Sequence, residues 1–258
     1  MFIRFNKYSL LIITIWFSVA CSSAPEKQVI PSDDEEERSS DDQDSKKSGS
    51  IRLRSISKDE VPSGIAYNGK IDKAFTWNDN NGENILLLTS KEKQSIDEYQ
   101  EYMNSIYIFA YNYVKKDKGH ELLWKMNDQV LQCPTDAKCE FLEGSTTLTD
   151  LDKDGFGEVK LQYELGCISD VRPYDMKLLF YENGQKRALR GLRWIDMDAL
   201  QGKRESKYPF ALDDMAIDPN SREPDYYHWG KYKTEADFKN DPIEFLEYAR
   251  LEWRKYVM

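Results

Sequence analysis

Ile106–Val114, IYIFAYNYV, is the stretch whose reading decides the fold. Tyr107, Phe109, Tyr111 and Tyr113 alternate there with Ile106, Ile108, Ala110 and Val114. Period two with large residues on both faces predicts a strand covered on both sides. Lys115–Gly119 then supplies a turn, and Glu121–Met126 returns beside the first run. Farther along, Asn183-Gly184 separates Met176–Tyr181 from Lys186–Leu192. Asn-Gly between two strand-like runs predicts a hairpin, because both residues accept positive φ. Ile51–Ile56, Ala74–Trp77, Asn84–Thr89, Glu140–Leu148 and Glu158–Leu165 are further strand candidates.

The period changes at the end of the chain. Asp241-Pro242 offers an N-cap and a first-turn proline, with Glu244 at capping-box spacing. Phe245, Leu246, Ala249, Trp253 and Tyr256 fall on one helical stripe, and Arg254 and Lys255 suit the negative end of the macrodipole. Packing against the protein's own sheet accounts for that stripe better than a partner does. The expectation is one mostly β domain over 51–258, antiparallel hairpins in a sandwich or propeller-like sheet. A C-terminal helix at 242–256 completes it.

The first twenty residues carry Arg4 and Lys7, then the uncharged run Leu10–Ala20. Eleven apolar residues are too few to span a bilayer but suit a signal-peptide core. The run ends at Ser18-Val19-Ala20-Cys21, which resembles the lipobox of bacterial lipoproteins, with Ser18 where that motif usually has Leu. The resemblance implies removal of 1–20 and acylation of Cys21 by diacylglycerol and a further fatty acid such as palmitate. Several chains on one residue anchor stably where one would be marginal. An ordinary secretory signal ending by chance at a cysteine is the alternative. Ser22 in place of Asp directs the expectation to the outer membrane over the inner one.

Residues 21–50 follow as a linker without a single aromatic residue. Such a stretch cannot bury enough apolar surface to offset its chain entropy, and it is expected to be a disordered, self-repelling spacer. The net charge of −10 divides into +2 in the signal, −5 in the linker and −7 beyond residue 50. Both mature parts are acidic, so neither offers the basic surface on which nucleic-acid binding by counterion release depends.

One segment carries chemistry. Thr149-Asp150-Leu151-Asp152-Lys153-Asp154-Gly155-Phe156-Gly157-Glu158 sets carboxylates at alternate positions before a glycine. Calcium takes six to eight hard oxygens, and a loop offering Asp150, Asp152, Asp154, the Phe156 carbonyl and Glu158 can wrap one ion. Leu161 stands where a helical EF-hand would have its bidentate Glu, and the flanks alternate like strands. The loop resembles the β-hairpin calcium loops of integrin-type FG-GAP repeats. Without a bidentate ligand the affinity expected is that of extracellular modules, about 10⁻⁴–10⁻³ M. The bland alternative is a polar turn with solvated carboxylates. Asp79-Asn80-Asn81-Gly82-Glu83-Asn84 echoes the pattern but has Trp77 at the first ligand position, so it reads as a hairpin turn.

Beyond Cys21 there are three cysteines, Cys133, Cys139 and Cys167, which allow one bridge and one spare thiol. Cys139 and Cys167 fall roughly opposite each other if the hairpin pivots on Asp152–Asp154, and Cys133 is also within reach. His120 and His228 stand apart from any nucleophile motif, and no Gly-Xaa-Ser-Xaa-Gly, HExxH or phosphate loop occurs. Asp170, Arg172 and Asp175 form a polar loop around Pro173, where surface ion pairing is favoured over a site. Tyr226, Tyr227 and Trp229 make an aromatic cluster of the kind that suits sugar rings.

Several pieces together resemble a family of bacterial envelope proteins described as surface-polysaccharide biosynthesis proteins. They are Gly82-Glu83-Asn84-Ile85, Cys133-Pro134, Leu148–Asp152 through Glu158-Val159, and Cys167–Pro173 with Met176-Lys177, Tyr181-Glu182 and Arg190-Gly191. The tail pattern Pro242, Phe245, Tyr248-Ala249, Trp253 and Tyr256 closes the match, and the polar insert Lys91–Asn104 departs from it. The resemblance implies an envelope protein associated with surface glycan and the bridge Cys133–Cys167, with Cys139 as an extra thiol. The expectation is therefore a membrane-anchored, calcium-stabilised β domain that binds surface polysaccharide, or helps envelope assembly proteins build it, without catalysis. The alternatives are a glycan-modifying enzyme and a surface antigen that binds host protein.

Overall fold

The computed structural model describes residues 51–197, 201–202, 213–220, 222 and 225–258. The signal, Cys21 and the linker lie outside the described residues. Two antiparallel sheets lie face to face. The first takes β1 (Arg54–Ile56), β2 (Lys70–Asp79), β3 (Gly82–Ile96), β4 (Tyr102–Lys116) and β5 (Gly119–Cys133) in sequential order. The second runs β10 (Gln185–Leu192), β9 (Asp175–Glu182), β8 (Glu158–Ile168), β6 (Asp136–Phe141), with β7 (Thr147–Thr149) also paired to β8. The sandwich alternative is the one adopted, with the C-terminal helix α1 at Ile243–Tyr256.

The alternation in Ile106–Val114 divides as its pattern demands. Ile108 and Ala110 enter the core between the sheets, while Tyr111 and Tyr113 face outward beneath a covering segment. That cover is the chain from Val61 to Asn68. The Asn68 N–H donates to the Tyr111 hydroxyl at 3.1 Å, and Thr89 Oγ1 donates to the Asn68 carbonyl at 2.6 Å. The Tyr113 hydroxyl donates to the Ala66 carbonyl. Tyr111 and Tyr113 thus each bury a ring and satisfy the hydroxyl, so neither leaves an orphaned polar atom. Between the sheets, Trp124 of β5 stacks on Tyr181 of β9, with ring centroids 4.0 Å apart. Asn183 and Gly184 have φ of +43° and +82°, the two positive values that the β9–β10 hairpin requires.

The outer face of the second sheet is covered by α1. Phe245, Ala249 and Trp253, one turn apart, are fully buried against Met176, Leu178 and Phe180. The Trp253 indole N–H donates to the Gly230 carbonyl at 2.8 Å. Helix position and stripe match the sequence expectation, but its cap does not. Pro242 occupies the N-cap position with no side-chain capping bond, so the Asp241/Glu244 capping box does not form. Asp241 grips Arg187 instead, Oδ1 accepting from Nη2 at 2.6 Å and Oδ2 from Nε at 3.0 Å. The Arg187 side chain is only 6 % exposed, and a buried guanidinium needs a carboxylate more than a helix end needs a cap.

Three further differences have local causes. Glu140–Leu148 is not one strand, because a turn at Leu142–Ser145, with Gly144 at φ +67°, separates β6 from β7. Ile51–Ile56 pairs only over Arg54–Ile56. The polar stretch Lys91–Asn104 continues β3 and β4 as a hairpin arm, turned by Asp97 accepting from the N–H groups of Tyr99 and Glu101. Cys133 and Cys167 form the disulfide, across a Cα–Cα distance of 5.6 Å. Cys139 opposes Leu165 and not Cys167 in the ladder, and it stays a free thiol inside the core. Burial, reinforced by Asp128, pushes that thiol up to about 12, so it is inert in the folded state.

Asp241→Ala leaves a buried guanidinium short of its main partner and is expected to cost about 3–5 kcal/mol in denaturant unfolding. Glu244→Ala is expected to stay within about 0.5 kcal/mol. A loss near 1 kcal/mol for Asp241→Ala would mean that this residue acts only as a cap.

Candidate functional site

Two places bring sequence-predicted residues together, and they stand at opposite ends of β8. The first is the acidic loop that feeds into it. Backbone N–H groups fold onto the carboxylates: Gly155 donates to Asp150 at 3.3 Å, Asp154 to Asp152 at 3.2 Å and Phe156 to Asp154 at 2.8 Å. The Leu151 N–H is shared between both oxygens of Glu158, at 2.9 and 3.1 Å. Oxygens of Asp150, Asp152 and Glu158 lie within 4.8 Å of one another. Ligands around one calcium at 2.3–2.6 Å can be separated by no more than about 5 Å, so this trio fits one ion.

Asp154 belongs to a second trio, with Asp152 and Glu182, again within 4.8 Å. Glu182 comes from the end of β9, and no local pattern announces it; only the hairpin at Asn183-Gly184 returns it to the loop. Desolvation raises its carboxyl to about 7, with Asp152, Asp154 and Glu158 adding to the rise and Arg187 opposing it. Glu158 is fully buried, and desolvation raises its carboxyl too, against the bond from Leu151 and with a further push from Asp152. Burial is in each case the main cause, and the neighbouring carboxylates add to it.

The faint echo at Asp79–Asn84 is a hairpin turn, as its sequence indicates, and it is also what holds the loop. The Asn80 N–H donates to the Gly155 carbonyl at 2.8 Å, and its amide donates to the Asp154 carbonyl at 2.8 Å. Asp79 accepts four bonds, from the Trp77 indole, the Asn81 N–H, the Asn84 amide and the Gly157 N–H. Gly155 sits at φ +85°, where a Cβ would collide with the Asn80 amide. Gly157 has equally little room, with Leu148 and Trp77 within about 3 Å of a Cβ placed there. The two glycines thus serve the docking of one turn on the other as well as the loop's own curvature.

The second place lies at the far end of β8, about 26 Å away by eight residues of strand rise. A cavity of about 280 Å³ is lined there by Leu165, Gly166, Arg172, Tyr174, Asp175 and Trp229, among others. Arg172, Asp175 and Trp229, separated in the chain, are thereby brought together. Gly166 makes room for the Tyr174 ring, since a Cβ there would stand 2.9 Å from it. Trp229 is positioned by its neighbour Gly230, whose N–H donates to the Arg193 carbonyl at 3.0 Å. The ion pairing expected around Pro173 is not formed: neither Asp170, Arg172 nor Asp175 makes a salt bridge with another described residue. Asp170 folds back on its own loop, accepting from the Val171 N–H at 2.6 Å. Tyr227 is 52 % exposed and does not line the cavity, and the Tyr226 side chain lies outside the described residues. The missed wall is Tyr174, flanked in sequence by Pro173 and Asp175 and carrying no pattern of its own.

Comparison of the chain with protein-family models, with characterised proteins and with solved structures finds no match.

Proposed function

We propose that this is a lipid-anchored envelope protein that binds surface glycan without transforming it, on a β-sandwich stiffened by calcium. The observation that carries the binding role is the cavity uniting Trp229 and Tyr174 with Arg172 and Asp175. Aromatic faces pack on the apolar side of a sugar ring, and the guanidinium and carboxylate suit its hydroxyls. At about 280 Å³ the cavity matches a single sugar residue of a longer chain. Among the described residues Asp175 is the one carboxylate in its wall, whereas glycoside hydrolysis uses a flanking pair. Glu182, the carboxylate raised to about 7, belongs to the loop at the other end of β8. The resemblance of the chain to envelope proteins linked with surface polysaccharide points the same way.

Calcium is supported by a charge imbalance. Glu158 is fully buried and has no cationic partner among the described residues, in the company of Asp150 and Asp152. Burying an unpaired carboxylate costs several kcal/mol, and a bound cation removes that cost. Magnesium suits the site less, because it demands a tighter octahedron. Since the loop joins β7 to β8 and grips the Asp79 turn, the ion would stiffen the junction of the two sheets without touching the sugar.

A surface antigen that binds host protein is the second reading, and one observation favours it. The arm of β3 and β4 ends in Ile96, Tyr99 and Tyr102, which are 54 %, 77 % and 71 % exposed. Loss of host-protein binding on Tyr99→Ala and Tyr102→Ala, with no glycan bound, would select it.

On a glycan array the protein is expected to bind a restricted set of bacterial surface saccharides, and Trp229→Ala to weaken that binding at least tenfold. An array without hits, or one on which no hit is weakened by Trp229→Ala, would reject the cavity as the site. Thermal melting should rise on adding 10 mM calcium, by a stabilisation of about 1.4–2.7 kcal/mol for affinities of 10⁻³–10⁻⁴ M. Asp152→Ala should abolish this response and leave the calcium-free melt nearly unchanged; a wild-type melt indifferent to 10 mM calcium would exclude the ion. For the anchor, Cys21→Ala should move the protein out of the membrane fraction, and retention there with acyl label would disprove lipidation at Cys21.

A further inference from the structure

A third feature belongs to neither the loop nor the aromatic cavity. Between β5 and the inner face of β9 and β10 runs a polar cleft of about 230 Å³. Lys125, Met126, Asn127 and Asp128 all line it. Four consecutive strand residues can face one cleft only when the strand presents its edge, because alternate side chains point to opposite faces. β5 is an edge strand of the first sheet, so half of its backbone donors and acceptors on this stretch are left without strand partners. The first sheet stops there, and Lys177, Lys186 and Arg190 line the cleft from the inner face of β9–β10.

Beside its buried residues that face carries cations where a sandwich would have further core residues. Lys177 of β9 and Arg190 of β10 are direct cross-strand partners, and Lys186 lies farther along the same face. Like charges placed opposite each other destabilise a sheet pair, so the arrangement is costly without something negative between them. Asp128 supplies part of it, accepting from Lys177 at 2.5 Å and from the Tyr163 hydroxyl at 2.9 Å. Arg190 reaches Asp237 at 3.4 Å, in a pair about 40 % exposed on both sides and therefore weak. Lys125 and Lys186 make no ion pair with any described residue. Among the described residues that line the cleft, four cations thus stand beside one carboxylate, in a chain whose net charge is −10.

We propose that this cleft binds the anionic groups, carboxylate or sulfate, of an acidic saccharide. The cations recognise the charge, and the open edge of β5 with Asn127 offers donors and acceptors to hydroxyls. An acidic peptide added as a strand to β5 would need apolar pockets for alternate side chains, and among the described residues the apolar wall here is limited to Met126, Leu179 and the Tyr163 and Tyr181 rings, all buried, the last already covered by Trp124. The site is separate from the Trp229 cavity and stands or falls without it.

The test titrates the purified full-length protein with a heparin-derived hexasaccharide, an oligogalacturonate, neutral maltohexaose and poly-glutamate. Binding of either acidic saccharide is expected, weakening as salt rises, since exposed cations are screened. Lys125→Glu and Lys186→Glu should each weaken it by about tenfold or more by charge reversal in the cleft. Both side chains are exposed, so an unchanged melting temperature confirms that the fold is kept, and Lys125→Gln and Lys186→Gln give the milder loss of charge alone. Trp229→Ala should leave acidic-saccharide binding intact, which separates this site from the glycan cavity. The proposal is overturned if neither acidic saccharide binds, if binding survives both charge reversals, or if maltohexaose binds as well. Poly-glutamate that binds more tightly than the sugars and is lost with the same substitutions would replace the saccharide with an acidic peptide.

Discussion

The rest of the structure depends on one constraint: β8 is buried on both faces, although every second residue of its first eight is polar. Val159, Leu161, Tyr163 and Leu165 point between the sheets, while Glu158, Lys160, Gln162 and Glu164 point the other way and are almost wholly buried there. A row like that survives only if each member is matched. Lys160 pairs with Glu252 of α1 and lies 4.6 Å from the Tyr256 ring centre. Glu164 takes Lys138 at 2.8 Å and Arg193 at 2.6 Å. Gln162 donates to the Met176 sulfur, and its side-chain Oε1 has no partner among the described residues. The C-terminal helix is therefore held by apolar stripe and buried charge together. Such pairs add little net stability over an apolar row, but losing either partner is costly, so they fix where the helix sits.

Glu158 is the charged member of that row without a matching cation among the described residues, and it is also the last carboxylate of the acidic loop. The same residue therefore links the packing of the strand to the chemistry proposed for the loop. A bound cation would complete the row as Glu252 and Arg193 complete it farther along. The docked turn at Asp79 and Asn80 extends the consequence to the other sheet, because Asp79 bonds both to Trp77 in the core and to Gly157 in the loop. Order in the loop is thereby coupled to the end of the sandwich. The aromatic cavity, at the opposite end of β8, is held by a different set of contacts through Gly166 and Gly230.

What could be read in the chain followed the range of each interaction. Period-two alternation at Ile106–Val114, the Asn183-Gly184 turn and the stripe on α1 depend on neighbours in sequence, and all three stand in the structure. Asp241 misled because capping is a local pattern, whereas its partner Arg187 is 54 residues away and its burial cannot be seen in sequence. The polar half of β8 reads as a solvated face until α1 is laid over it. Glu182 and Tyr174 were missed for the same reason: each joins its site by a chain reversal, with no motif spacing to mark it. The Lys177–Arg190 opposition is likewise invisible until the hairpin register is known.

The central claim is that the carboxylates gathered at the start of β8 hold a cation. The most direct measurement is anomalous diffraction from crystals of the protein grown in millimolar calcium and collected at long wavelength. The account predicts a calcium peak about 2.3–2.6 Å from oxygens of Asp150, Asp152 and Glu158, with Asp154 or the Phe156 carbonyl completing the shell. A well-ordered loop in those crystals with no anomalous peak among its carboxylates would contradict it.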